Sequence, residues 1–351
     1  MKVFVGEFVS GGGFLTPRVE EIPASLRAEG GAMLRSLVED LASFASVRTV
    51  CDPRQRDDFD FDCIDVVEAV PNELLWRQWV AAAGDCDHAV IVAPENDGAL
   101  AQGVAMLRAA GIDVVAASGD FLRVASDKWL TAKAMHAGGV PHPPTWTRSH
   151  RKGIDAFAKQ QGFIVKPRDG CGTSKIQSFT GIDEAFSAAG TGDIVQPLLA
   201  GRAVSVSLVA GSRGQIFLPA VAQEINTSRW SYDGGIGPLE DDLQRRAESL
   251  ATLAVAAMPP SVRGFVGFDL LLGEGPPGEE PGQDYLIEIN PRLTTSYVGL
   301  RQMIRGNLAA RLFGLESGPV QCRFPADSVQ WTPDGKVTQL GQPLVQPADA
   351  S

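Results

Sequence analysis

The sequence predicts an α/β chain: an N-terminal parallel sheet with helices on both faces, followed by a region of strand pairs and helices. Three observations predict it. Over residues 2–117, short apolar runs alternate with stretches of helical spacing, the pattern of a parallel sheet built from strand–helix units. After about residue 118 that alternation gives way to strand pairs around glycine turns. At 351 residues the chain is also too long for one ordinary core. The expected division is 1–118, 119–195, 196–321 and a C-terminal tail, 322–351.

In order, residues 2–8 read as a strand and Ser10-Gly11-Gly12-Gly13 as a turn. Residues 25–43 space Leu26, Met33, Leu34, Leu37, Val38 and Leu41 for one helix face. Strands follow at 47–51 and 63–67, then a helix at 72–84, a strand at 88–93 and a helix at 99–110. A short strand is expected at 114–117. The loops at 10–13 and 94–98 leave the C-terminal ends of strands, where ligands bind on such sheets; glycines that merely turn the chain are the other reading. Residues 126–137 read as a helix with Ser126 as its N-cap and Gly138-Gly139 as its stop. Helices at 154–161 and 182–188 and strands at 162–167, 176–179 and 193–198 make the next lobe. A hairpin (203–210 with 215–223), a long polar loop and helix 239–257 come next. Strands 264–272 and 285–292 and a helix over 298–313 carrying Arg301 and Arg305 complete the large lobe. The tail reads as isolated β-like pieces with a disordered end.

The net charge of −11 argues against a nucleic-acid surface. Five cysteines, odd in number and without a CxxC pair, fit neither a disulfide framework nor a zinc site and point to a reducing cytoplasm. The four histidines have no HExxH spacing. No uncharged apolar run reaches membrane-spanning length, roughly 20 residues, and no signal-peptide layout opens the chain. A cytoplasmic protein acting on small molecules is expected, with a homodimer left open.

Within the last strand pair, alternation puts Glu288 and Asn290 on one face, and pairing lets Asp269 join them. Carboxylates inside apolar strands need compensation. Mg²⁺, a hard cation that shares its shell with substrate phosphates, is one candidate; a hairpin edge in water is the other. Upstream, Lys166 precedes a small-residue loop containing Gly170, Cys171, Gly172, Thr173 and Ser174. Glycines let backbone N–H groups approach phosphate, although neither GxxxxGK[ST] nor GxGxxG is matched and a plain turn fits as well.

The order of Lys128, Lys166, the glycine loop, the 193–198 strand, Asp269, Glu288, Asn290 and Arg292 resembles the ATP-grasp superfamily over roughly residues 1–320. The resemblance implies a pre-ATP-grasp domain and two lobes clasping ATP. It also implies a carboxylate–amine ligase working through an acyl phosphate. Lys128 and Lys166 would hold the α/β-phosphates, and Gly170, Gly172, Thr173 and Ser174 would close over the γ-phosphate. The backbone of Gln196, Pro197 and Leu198 would read the adenine edge. Asp269, Glu288 and Asn290 would bind Mg²⁺ (or Mn²⁺), and Arg292, with Lys166, would serve the chemistry. A glutamate common after the hinge glycine is missing from 201–205, so no ribose contact is assigned.

Residues 7–13, 232–238 and 290–300 further resemble the tyramine–L-glutamate ligase group of methanofuran biosynthesis, whose members join the glutamate γ-carboxylate to the amine of tyramine. Related proteins are associated with methylofuran and tetrahydromethanopterin pathways. Substrate contacts are then expected from Ser10, Gly11, Gly12, Glu95, Glu224, Asn226, Tyr232, Gly234, Gly235 and Arg301, with surface or core roles as alternatives. A ligase for another amino acid, a kinase or carboxylase within the fold, and an inactive nucleotide-binding regulator are the competing functions.

Overall fold

The computed structural model describes residues 1–15, 18–59, 64–157, 159–160, 162–170, 172, 175–275, 281–323 and 327–341. Of the residues singled out above, Cys171, Thr173 and Ser174 fall outside this set, as does the first residue of the strand expected at 63–67.

The N-terminal unit is a five-stranded parallel sheet. β1 (Lys2–Glu7), β2 (Ser46–Cys51), β3 (Asp65–Glu68), β4 (His88–Val92) and β5 (Asp113–Val114) lie in the order β3-β2-β1-β4-β5. α1 (Ala24–Ala42), α2 (Leu75–Ala83) and α3 (Ala99–Ala109) connect them. β1 is buried along nearly its whole length, as expected for an apolar strand covered on both faces.

α4 (Gly119–Ala125) and α5 (Lys128–Ala137) follow. The N-cap of α5 is Asp127, not Ser126: the Asp127 carboxylate accepts the N–H groups of Trp129 and Leu130, whereas Ser126 closes α4. Phe121, Leu122 and Met135 pack into the core that also holds Phe4, Trp79, Val206, Phe268 and Leu270. Thus α4 and α5 join the main body.

The small lobe has its own sheet, β7-β6-β8, from β6 (Phe163–Pro167), β7 (Gln177–Phe179) and β8 (Asp193–Pro197), backed by α6 (Ile182–Ala188). Its core of Trp146, Phe163, Val165, Phe186 and Val195 is separate from the others. The helix expected at 154–161 is only a 3₁₀ turn, Ile154–Phe157.

The large sheet is antiparallel, in the order β14-β13-β9-β11-β12-β15-β16 with β10 also on β9. Its strands are β9 (Arg202–Gly211), β10 (Gly214–Phe217), β11 (Val221–Asn226), β12 (Ser231–Gly237), β13 (Gly264–Leu272), β14 (Tyr285–Asn290), β15 (Asp327–Trp331) and β16 (Val337–Gly341), with α7 (Asp241–Ala257) packed on β13, β9 and β14. Three expectations change here. The run 215–223 splits into β10 and β11, because β10 turns back on β9 before β11 joins it further along. The polar loop contains β12, whose glycines hide its strand character. The tail supplies β15 and β16, which extend this sheet. The helix over 298–313 also divides into α8 (Ser296–Met303) and α9 (Leu308–Leu312); between them Gly306 takes φ +85° and Ile304 bridges to Cys322.

Candidate active site

The site is built first from the β13–β14 pair. Asp269 stands opposite Glu288, and Gly267 opposite Asn290, so the three polar side chains share one place as the alternation predicts. Asn290 Nδ2 donates to Asp269 Oδ2 at 2.9 Å, and Gln223 Nε2 donates to Oδ1 at 2.9 Å. Burial, with the neighbouring Glu288 charge, pushes the Asp269 carboxyl up to about 7. For Glu288 burial pulls the same way, but Lys128 and Lys166 outweigh it and hold the group below its usual range.

Lys128 opens α5, placing its Nζ 3.3 Å from Glu288 Oε2 and 2.7 Å from the Gly170 carbonyl oxygen. Lys166 comes from β6 and is 5 % exposed; burial draws its ammonium down to about 8, against the pull of Glu288. The donor set fits Mg²⁺. Two adjoining carboxylates repel each other, and a hard cation would relieve that repulsion while leaving positions for phosphate oxygens. Among the described residues no trio of His, Cys, Asp or Glu gathers, so a cage made by protein carboxylates alone is not what the geometry offers.

Gly170 has φ +106°, and a Cβ there would stand 2.4 Å from Asn96 Nδ2, so the loop can lie this close to the 94–98 turn only with glycine. Gly172 is also left-handed, at φ +77°. Gln196 and Pro197 end β8, and Leu198 follows them at the edge of the small lobe. The Gln196 amide donates to Thr145 Oγ1 at 2.8 Å, and the Leu198 N–H is used by the Gly162 carbonyl. Neither of those two donors points to a ligand.

Arg292 lies just past β14. Its Nε donates to Glu95 Oε1 at 2.9 Å and its Nη1 to the Leu293 carbonyl oxygen at 3.2 Å. Glu95 is 4 % exposed, and its Oε2 has no hydrogen-bond partner among the described residues. Two more carboxylates, which sequence reasoning did not single out, feel the Arg292 charge. Both Glu7 and Glu29 are raised by burial and drawn back by Arg292. Glu7 ends β1 and accepts the N–H groups of Val9 and Ser10; Gly30 of α1 leaves the room it occupies. The available signal was a charged residue closing an apolar parallel strand. Beside Glu95, a cavity of about 410 Å³ opens between α3, α4 and the approach to the glycine loop, lined by Val104, Leu122, Asp127 and Asp169.

The remaining expected contacts divide. Ser10 and Gly11 donate their N–H groups to Glu7, the Gly11 carbonyl accepts the Trp79 indole N–H, and Gly12 (φ +101°) turns the chain beside Ala69 and Leu15. Tyr232 is within electrostatic reach of Asp269 and Glu29. Gly234 and Gly235 pack on Trp331. Glu224 accepts from Gln330, and Asn226 caps the Ser228–Arg229 turn. Arg301 is not brought to the cluster. Its guanidinium is bound to Asp40 and Glu39 of α1, and Asp40 also accepts the Tyr297 hydroxyl, so the arginine seals a seam instead of meeting a substrate carboxylate.

Residues 45–120 match the pre ATP-grasp 3 domain model, and 125–296 match the ATP-grasp domain model described as ATP-grasp_3. The chain is an ATP-grasp superfamily protein. It is 24% identical over 282 residues to the tyramine–L-glutamate ligase of Methanocaldococcus fervens, covering 78% of this chain and 82% of that one. It is 25% identical over 215 residues to the tyramine–L-glutamate ligase of Methanocaldococcus jannaschii, covering 61% and 58%. An ATP-grasp superfamily protein of Archaeoglobus fulgidus superposes with TM-score 0.69 at 24% identity, over 94% of this chain and 92% of the other. No helix among the described residues is long and apolar enough to cross a membrane.

Proposed function

We propose that this ATP-dependent carboxylate–amine ligase joins L-glutamate to an aromatic amine, tyramine or tyrosine, in the making of a methanofuran- or methylofuran-type cofactor. One observation carries the reading: Lys128, Lys166, Asp269, Glu288, Asn290 and Arg292 converge from separate elements on one junction beside the buried carboxylates of the N-terminal unit. The likeness to the two tyramine–L-glutamate ligases supports the choice of substrates.

In this reading the two lysines hold the phosphates of ATP, with Gly170, Gly172, Thr173 and Ser174 over the γ-phosphate and the backbone of 196–198, other than the Leu198 N–H already bound to Gly162, at the adenine. Asp269, Glu288 and Asn290 hold Mg²⁺, which supplies charge neutralisation on the phosphate oxygens. A carboxylate oxygen of glutamate attacks the γ-phosphorus, the bond to the β-phosphate oxygen breaks, and ADP leaves. The amine nitrogen then attacks the acyl carbon, inorganic phosphate leaves and the nitrogen gives up a proton. Arg292 faces both steps, as a cation beside the transferred phosphoryl group and then beside the tetrahedral oxyanion. Glu7, Glu29 and Glu95 favour substrates that carry an ammonium group, as amino acids and amines do.

The test is ADP release in the presence of Mg²⁺ on adding L-glutamate with tyramine or tyrosine, with the amide identified by mass. Stimulation only by both partners together supports the assignment. Release that needs neither, or no amide from this pair, sinks it.

A further inference from the structure

Trp331 lies beyond the matched ATP-grasp domain, on β15, yet it touches Tyr232, one of the residues expected to contact substrate. It pairs with Gly235 across β12–β15 and is 1 % exposed. Three glycines make its room: a Cβ on Gly234 would stand 2.1 Å from the Trp331 carbonyl oxygen, one on Gly235 2.4 Å from its ring, and one on Gly299 2.0 Å from its ring. Side chains at Gly235 and Gly299 would meet the indole, and one at Gly234 the strand backbone that carries it. Held there, the indole N–H donates to the Tyr232 hydroxyl oxygen at 3.0 Å, and Thr295 is a further hydrogen-bonding neighbour of the phenol.

An indole N–H can only donate, so it takes a lone pair of the phenol oxygen and leaves the phenol proton for another acceptor, the Thr295 hydroxyl oxygen or an oxygen of a bound substrate. Burial pushes the Tyr232 phenol up to about 12, so that proton stays on at neutral pH. The phenol lies within electrostatic reach of Asp269, one of the candidate metal ligands, and of Glu29. The carboxylate substrate of the ligase reading carries oxygens able to accept such a hydrogen bond.

We propose that Trp331 is a positioning residue for the ligase reaction: its indole N–H fixes the Tyr232 hydroxyl, whose O–H donates to an oxygen of the bound carboxylate substrate. The inference rests on the ligase reading above. It assigns a role in substrate specificity to the C-terminal strands, which lie outside the matched domain.

The experiment is a double-mutant cycle in the full-length protein, with Tyr232→Phe, Trp331→Phe and both together. Trp331 is also replaced by β-(3-benzothienyl)alanine, which keeps the bicyclic shape and loses only the N–H, so the test does not depend on how well phenylalanine packs. KM for L-glutamate, amine and ATP and kcat are measured for each. Each single change is expected to raise the KM for glutamate roughly tenfold or more, the scale of one hydrogen bond to a charged group. The KM for ATP should stay within about twofold, and the double variant should be no worse than Tyr232→Phe. Additive losses, an ATP KM that rises in parallel, or an unshifted glutamate KM in the benzothienyl variant would overturn the role of Trp331 while amide formation by the wild type leaves the ligase reading standing. A wild type that makes no amide from any amino-acid and amine pair removes both.

Discussion

Arg292 and Arg301 invite comparison. They follow β14 on one stretch of chain, both reach from the large lobe to the N-terminal unit, and each is tied there to a buried carboxylate. The Glu95 and Asp40 contacts are 2.9 and 2.7 Å. What separates them is the rest of their surroundings. Arg292 lies within electrostatic reach of Glu7, Glu29 and Glu288, and among the described residues the second oxygen of its partner Glu95 has no hydrogen-bond partner. Arg301 and Asp40 satisfy one another with help from Tyr297 and Glu39, deep between α1 and α8. In the proposed function Arg292 is the open arginine, facing the substrate, and Arg301 is the clamp.

The comparison breaks most sharply at the clamp. Arg301→Ala strips Asp40 of its cation in a buried seam and is expected to cost about 3–5 kcal/mol of folding free energy, read by urea denaturation. A loss under about 1 kcal/mol would mean the seam is not closed. At the open arginine the effect moves from stability to rate. Arg292→Ala should slow amide-coupled ADP release by about 10²–10³. Arg292→Lys, which keeps a charge beside Glu95 but lacks the planar fork, should retain most of the stability and still lose most of the rate. If the lysine variant turns over like the wild type, Arg292 is only another clamp.

Gly299→Ala sharpens the contrast on α8, the helix that carries Arg301. A methyl group 2.0 Å from the Trp331 ring is expected to cost about 1–3 kcal/mol by overpacking. An unchanged denaturation midpoint would show that the indole moves freely. The smallest effect belongs to another bridge between the same two units. Hydrogen bonds from Arg263 and His88 hold the Asp113 carboxyl down at about 2, despite some desolvation. A carboxyl lowered on folding adds stability above its unfolded pKa, and that stability is lost as pH falls from about 4 toward 2. Both Asp113 and Arg263 are more than a third exposed, so solvent screening keeps the share below about 1 kcal/mol. Asp113→Asn should therefore flatten the loss of melting temperature between pH 4 and pH 2 only slightly; an unaltered acid profile counts against the bridge.

The charged half of the site is legible in the sequence because strand alternation turns residue order into side-chain placement. Asp269, Glu288 and Asn290 meet as their spacing requires, and the parallel order of the first sheet follows from the alternation of elements. Features set by tertiary contact are not legible. Arg301 lies on a helix face like any other until α1 is docked against it. β12 is written in glycines, which lack strand propensity, and makes sense only once Trp331 fills the space they leave. The break between α8 and α9 depends on a left-handed Gly306 that helical spacing does not reveal.

The separate core of the small lobe has a mechanical consequence. Lys166 is mounted on that lobe, through β6, whereas Lys128 is mounted on the main body, through α5. Polar contacts tie the two bodies near the site: Lys128 to the Gly170 and Arg168 carbonyls, Arg168 to Asp127, and the Asp97 N–H to Asp169. Tilting the lobe breaks hydrogen bonds that water can replace and divides neither apolar core. Any such tilt would change the separation of the two ammonium groups, because one is carried by each body.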